Sequence, residues 1–280
     1  MKFGVLTLGS GSTIDVAGLG RAVEERGFES LFVPEHTHVP VDVQTPFPTG
    51  MKVLPEAMQG LDQFVMLSAL AASTSRLLLG TGICEVPLRD PIILAKTVAS
   101  VDVVSGGRFL FGAGGGWMHE EMLNHGVEPR TRMARMTEYL RAMKQIWIEH
   151  EASFAGEFLK FDPIVSLPKP LQRPHPPILL GVDGPTAIDR VLDMDAEWLP
   201  WLAREGDGLA DRIAELNERA EAAGRGPVPV TLAGASVDEE EIAYYTEIGV
   251  SRCLFALPAL ERDELLTLLD WYVEVIDGVQ

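Results

Sequence analysis

The sequence predicts an α/β fold: a TIM-type (β/α)8 barrel with loop excursions after strand 2 and before strand 5. A strand-like segment followed by a helical pattern recurs along the chain, and eight segments qualify as the strand, the number that closes a parallel barrel. The runs SLFVP, LLLGTGI and RFLFGAG carry almost no charge and do not alternate cleanly, as strands covered by helices on both faces must. The length of 280 residues suits one such barrel, so 1–280 is read as a single domain. A doubly wound sheet shares the alternation, but the strand count and the lack of a domain break favour the barrel.

The predicted strands are Phe3 to Leu8, Ser30 to Val33, Leu77 to Ile83, Arg108 to Gly112, Pro177 to Gly181, Glu197 to Leu199, Pro229 to Leu232 and Ser251 to Ala256. Helical patterns cover 15–26, 57–73, 90–104, 130–149, 185–194, 207–223, 237–247 and 262–276. Asp15 is placed to cap the first helix, with Gly27 as its stop. In the fourth helix Met133, Met136, Leu140, Met143 and Trp147 step by three or four residues, a stripe that seats against the outside of a sheet. Residues 34–56, with five prolines, and residues 151–176 break the rhythm. The second of these holds an expected extended pair within Ala152 to Phe161. Long irregular loops in a compact domain usually carry function, and a lid over the barrel mouth is the expected role.

With 46% apolar and 23% charged residues the chain can build a large core, which excludes a disordered or disulfide-stapled protein. Its 23 basic and 41 acidic side chains sum to −18, a field that repels a nucleic-acid backbone. No apolar run is long enough to span a bilayer, and the N-terminal MKFGVLTLGSG lacks the features of a secretion signal, so the cytoplasm is the expected location. Cys84 and Cys253 sit in apolar runs and read as free buried thiols, Cys84 as a small hydrophobe rather than a nucleophile.

Side chains at the carboxyl ends of barrel strands converge on one mouth. The second strand ends in Glu35, His36, Thr37 and His38. An imidazole can titrate near neutrality and donate to a reacting group, making His36 the candidate acid–base residue, with Glu35 orienting it, facing the barrel lumen or bonding locally. Histidines two apart can bind metal, but six histidines without an HExxH pattern do not suggest a zinc site, and none is expected.

The third strand leads through Gly80, Thr81, Gly82, Ile83 and Cys84. Its glycines fit a bulge or a flat ligand lying on the backbone. The fourth leads into Gly112, Gly114, Gly115 and Gly116, then Trp117, His119, Glu120 and Glu121. These glycines clear a patch for a planar ring with Trp117 as a wall, or make a tight turn. They match neither a Walker loop nor a dinucleotide fingerprint. The fifth strand ends at Gly181, Asp183 and Gly184, with Pro185 opening a helix whose free N–H groups would seat a phosphate. Trp198 and Trp201 pack either a ring-shaped ligand or the barrel core. Arg130, Arg132 and Arg135 enter the fourth helix against its dipole, with Glu128 and Glu138 the expected offsets.

These same segments, MKFGVLTLG, SLFVPEHTHVP, SRLLLGTGICEVPLRDPIILAKTVASVDVVSGGRFLFGAGGGW, WIEHEASFAGEFLKFDPIVSLPKPLQRPHPPILLGV and EWLPW, resemble the bacterial-luciferase-like monooxygenase superfamily. Within it they are similar to the coenzyme F420-dependent oxidoreductase branch. The resemblance implies a luciferase-like barrel that binds a flavin or deazaflavin at the carboxyl mouth, commonly as a homodimer. It implies cofactor contacts at Thr81, Gly82, Ile83, Cys84, Gly114, Gly115, Gly116, Trp117, Gly181 and Gly184, and a non-prolyl cis peptide around Gly82, Ile83 and Cys84. Sugar-phosphate dehydrogenases of the branch have an acidic–histidine pair that Glu35 and His36 resemble. They also have a carboxylate soon after the fourth strand, where this chain has Gly115 and Gly116, so their substrate is not carried over. The expected function is hydride transfer between F420 and a small organic substrate, with His36 exchanging the proton. An FMN-dependent monooxygenase and a non-catalytic flavin or ligand-binding barrel are the alternatives.

Overall fold

The computed structural model describes residues 1–7, 14–47 and 60–279. The first half of the chain runs β1 (Lys2–Thr7), α1 (Val16–Glu25), β2 (Ser30–Val33), α2 (Gln63–Ser73), β3 (Leu78–Thr81), β4 (Cys84–Glu85), α3 (Pro91–Val104), β5 (Phe109–Gly114), α4 (His119–Asn124) and α5 (Arg132–Ile148). It continues through β6 (Ala152–Ala155), β7 (Lys160–Ile164), β8 (Ile178–Gly181), α6 (Ala187–Asp193), β9 (Glu197–Trp198), α7 (Leu202–Glu205), α8 (Leu209–Ala222), β10 (Thr231–Ala233), α9 (Glu239–Glu247), β11 (Arg252–Leu257) and α10 (Arg262–Gly278).

Eight strands pair in parallel in the order β10, β11, β1, β2, β3, β5, β8, β9. Isolated parallel bridges, Trp198 to Val230 and Trp201 to Ala233, bring β9 against β10, so the sheet is a nearly closed barrel alternating with helices. All eight predicted strands are present. Leu8, residues 48–56 of the first excursion and residues 57–59 of the second predicted helix lie outside the described residues.

Local chemistry sets the helix starts. Asp15, Asp62, Asp90 and Asp238 each accept backbone N–H groups from the first turn of α1, α2, α3 and α9. The α5 stripe seats as its spacing predicts, with Met136, Leu140, Met143 and Trp147 buried. Helix α6 departs from expectation. It starts at Ala187, and Pro185 lies in the turn before it, where the Ala187 N–H is spent on Gly184 O at 3.1 Å. Of the first-turn N–H groups that the predicted phosphate seat would use, that of Ala187 is therefore already taken.

Strand periodicity divides the core. Side chains facing outward join the helices in the main cluster, while Leu6, Phe32, Leu110, Leu179, Leu199 and Leu254 fill the lumen. Both cysteines are free and buried. Trp198 belongs to the core, donating its indole N–H to Val182 O at 2.9 Å.

The two excursions do different work. Residues 34–47 cross the mouth, where Phe47 meets Trp117 and Trp201 edge-on with centroids 5.1 and 6.2 Å away. The second excursion begins with the expected extended pair, the antiparallel β6–β7 hairpin, whose turn N–H groups bond Glu138 on α5. Glu138 is thus spent on the hairpin rather than on the arginines, and Arg130 pairs with Glu128 at 3.7 Å. The tail of this excursion lies at the amino end of β5, opposite the mouth. There Gln172 donates to Phe109 O and to the buried carboxylate of Asp102, which needs those donors. It is not a lid.

Candidate active site at the carboxyl mouth

Just beyond β2, the His36 Nδ1 stands 2.6 Å from Oε2 of Glu121, a side chain of α4 with no solvent exposure. The Trp117 indole N–H donates to His36 Nε2 at 3.2 Å. Those contacts place the ring proton on Nδ1 and the lone pair on Nε2. The second Glu121 oxygen accepts from the Thr37 N–H at 2.8 Å and the Thr37 hydroxyl at 3.0 Å. Burial pushes the Glu121 carboxyl up, but His36 and Thr37 outweigh it and hold it below the usual carboxylate range.

Glu85, at the end of β4, has Oε1 3.7 Å from His36 Nδ1. Burial, then the nearby Glu121 and Glu35 charges, push its carboxyl well above the ordinary value. His36 is therefore flanked by one carboxyl favoured as the anion and one favoured as the acid, the separation by environment that acid–base sites use.

Of its expected roles, Glu35 makes the contacts of local bonding rather than of orienting His36. It accepts from the Glu85 N–H at 2.7 Å and from the Arg89 guanidinium, whose Nε lies 2.6 Å away, and Arg89 also reaches Asp62. Its chemistry ties β2, β4 and α2 together just beneath His36, while Glu121 does the orienting.

The glycines are explained largely by close approaches within the protein. A Cβ on Gly80 would lie 2.3 Å from the Phe32 ring, and one on Gly82 2.8 Å from Leu6. Ile83 fits into notches left by Gly114 and Gly181, where added Cβ atoms would meet its side chain at 2.7 and 2.5 Å. Gly115 abuts Met133, and Gly116, at φ 73°, would put a Cβ 3.1 Å from the Glu85 carboxyl. Gly184, at φ 78°, faces open space. The Thr81 hydroxyl donates to Gly112 O at 2.7 Å. The Gly82–Ile83 peptide is cis, at the position the resemblance gave. Burial pushes the Cys84 thiol well up, away from nucleophile chemistry.

The predicted residues thus gather at the ends of β2, β3, β5 and β8. His36, Gly116 and Trp117 form one nest, Ile83, Gly114 and Gly181 an adjoining one, and Gly184 stands at the rim with its carbonyl bonded by Arg212 at 3.0 Å. Glu121, Glu85 and Phe47 were missed as site residues. The run His119-Glu120-Glu121 after the fourth predicted strand was the available signal for Glu121. Only the fold shows which of its carboxylates turns inward.

A family model described as luciferase-like monooxygenase matches residues 1–248, and the chain belongs to that family. Membership in a monooxygenase family supports enzymatic activity. An uncharacterized protein of Mycobacterium tuberculosis (strain ATCC 25618 / H37Rv) is 36% identical over 277 residues, covering 94% of each chain. The FMNH(2)-dependent dimethylsulfone monooxygenase of Pseudomonas putida is 34% identical over 162 residues, 56% of this chain and 43% of that protein. Among solved structures, monooxygenase RslO1 from Streptomyces bottropensis superposes with a TM-score of 0.83 at 18% identity, covering 99% of both chains. An F420-dependent secondary alcohol dehydrogenase, solved with an F420–acetone adduct, gives a TM-score of 0.78 at 17% identity and covers 100% of this chain and 99% of its own. No described helix is long and apolar enough to cross a membrane.

Proposed function

We propose that the mouth binds a flavin-type redox cofactor, with FMN as the first reading, and that the chain is a flavin-dependent monooxygenase acting on a small organic substrate. The observation that carries this is the His36–Glu121 pair standing beside the half-buried, apolar Ile83 floor. The floor suits the face of a flat ring, and its rim carries one group able to move a proton. Orphaned donors fit the charged end of such a cofactor. The Nε atoms of Arg132, Arg135 and Arg212 are buried without hydrogen-bond partners, and Arg212 adjoins Gly184.

In this reading Ile83, with Thr81, Gly82 and Cys84 in its strand, supports the ring, and Gly114, Gly115, Gly116 and Trp117 border it. Gly181, Gly184 and Arg212 take the phosphate. When bound, reduced FMN supplies the electrons for dioxygen chemistry. His36 exchanges a proton with the reacting group at Nε2, where that group replaces the Trp117 indole N–H, and Glu121 fixes the ring. Glu85 holds an exchangeable proton nearby, and Phe47 with Trp117 and Trp201 excludes water from the mouth.

FMN is favoured by the similarity to the P. putida enzyme. Hydride transfer with F420 is the second reading, favoured by the histidine–carboxylate pair itself, since reducing a carbonyl or oxidising an alcohol requires one proton at the reacting oxygen. A homodimer is also proposed. Val65 on α2 and Ile93 and Val104 on the neighbouring α3 are 65%, 68% and 56% exposed, an apolar face suited to a second copy.

Single-turnover assays with reduced FMN plus dioxygen, and separately with F420, across a panel of small organic substrates test this reading. Turnover with FMN and dioxygen supports it, turnover with F420 alone moves it to the second reading, and failure of both leaves a ligand-binding barrel.

A further inference from the structure

We propose a second, metal-binding site at the mouth, in which His38, His125 and Glu121 bind one divalent cation of the zinc class. Ligand atoms of these three residues all lie within 4.8 Å of one another. They converge on one point, now held by the Thr37 hydroxyl oxygen. That oxygen lies 2.9 Å from His38 Nδ1, 2.7 Å from His125 Nε2 and 3.0 Å from Glu121 Oε1. Two imidazoles and a carboxylate are the donor set of zinc, cobalt and nickel rather than of magnesium or calcium.

The surroundings fit the same chemistry. Asn124 Nδ2 lies 2.8 Å from His38 Nε2, an outer contact that holds the orientation of the ring. His125 and Thr37 are exposed, which gives an ion an access path, while Glu121 anchors the site from the buried side. The other Glu121 oxygen faces His36, so the cation and the imidazole share one carboxylate. His38 comes from the loop after β2, while Glu121 and His125 stand one helical turn apart on α4 and the residue that closes it.

Isothermal titration of chelator-treated protein with Zn2+, and the visible spectrum of the Co2+ form, test the proposal without any activity measurement. The expected result is one ion per chain and a tetrahedral Co2+ spectrum. His38→Ala and His125→Ala should each weaken binding at least tenfold, and Asn124→Ala about tenfold. His150→Ala, an exposed histidine outside the cluster, should bind as the parent does. Thermal melting checks that each variant is folded. Absence of saturable binding, or affinity unchanged in folded His38→Ala and His125→Ala, would overturn the site.

Discussion

His36 Nδ1 and Glu121 Oε2 lie 2.6 Å apart, joining the end of β2 to a helix that follows β5. The contact gives the imidazole one orientation and leaves Nε2, which accepts the Trp117 indole N–H at 3.2 Å, as the atom for exchange once that contact is exchanged for substrate. His36→Asn should lower the rate of the proton-coupled step by about 100-fold or more, with cofactor affinity little changed. Glu121→Gln should lower the rate as well, because the ring loses the carboxylate that orients it. Pre-steady-state rates across pH provide the check, and unchanged rates at saturating substrate would remove His36 from the chemistry.

Glu85 makes a pH prediction of opposite sign to that of most carboxyls. Its folded pKa is raised, so the stability it contributes is fully present below the unfolded value of 4.5 and is lost as pH rises through the folded one. Glu85→Gln removes the titration. Melting curves of parent and variant should therefore diverge with rising pH, the variant becoming relatively more stable. Parallel curves would contradict the assignment.

Gly181 serves packing before it serves any ligand. A Cβ there meets Ile83 Cγ2 at 2.5 Å, so Gly181→Ala should destabilise the protein by about 1–3 kcal/mol, and combining it with Ile83→Ala, which removes that Cγ2, should cost less than the sum of the two single changes. Denaturant unfolding of the single and double variants measures the coupling. Gly184 has open space instead, so Gly184→Glu should weaken cofactor binding with a much smaller effect on folding, despite its positive φ.

The mouth-crossing loop is held by Glu120, which accepts from Gln44 N at 2.9 Å, Thr45 N at 3.0 Å and the Thr45 hydroxyl at 2.7 Å. Burial raises this carboxyl, but the donors together outweigh it and bring it down to about 2. Its folded value being depressed, the grip is present above 4.5 and is lost as pH falls through about 2. In Glu120→Ala, hydrogen exchange at Gln44 and Thr45 should quicken several-fold near neutral pH, while the barrel strands keep their protection. Equal exchange in both proteins would show that the loop is held elsewhere.

The proposed dimer face predicts that Val65→Glu combined with Ile93→Glu yields a folded monomer by light scattering. A parent protein that is itself monomeric would contradict that face.

Much of this architecture is legible in the residues. Strands such as Phe109–Gly114 announce themselves because both faces are covered and their side chains are uniformly apolar. Asp15 and the α5 stripe read directly because caps and helical spacing are local. His36 was legible because a polar residue just past a buried strand has little choice but the mouth. Glu121 was not, because its partner lies across the barrel and helix rotation alone separates its role from that of Glu120. The strand glycines read ambiguously for a related reason. Each empty Cβ position could hold a ligand or a neighbouring side chain, and at Gly80, Gly82, Gly114 and Gly181 the structure supplies the side chain.

Titration of cofactor-free protein with FMN and with F420, following tryptophan fluorescence, is the most direct test, since Trp117 and Trp201 border the proposed ring site. Saturable quenching by FMN with one site per chain, weakened in Gly184→Glu, is the predicted result. Emission unaltered by either compound would contradict a flavin-type cofactor at this mouth.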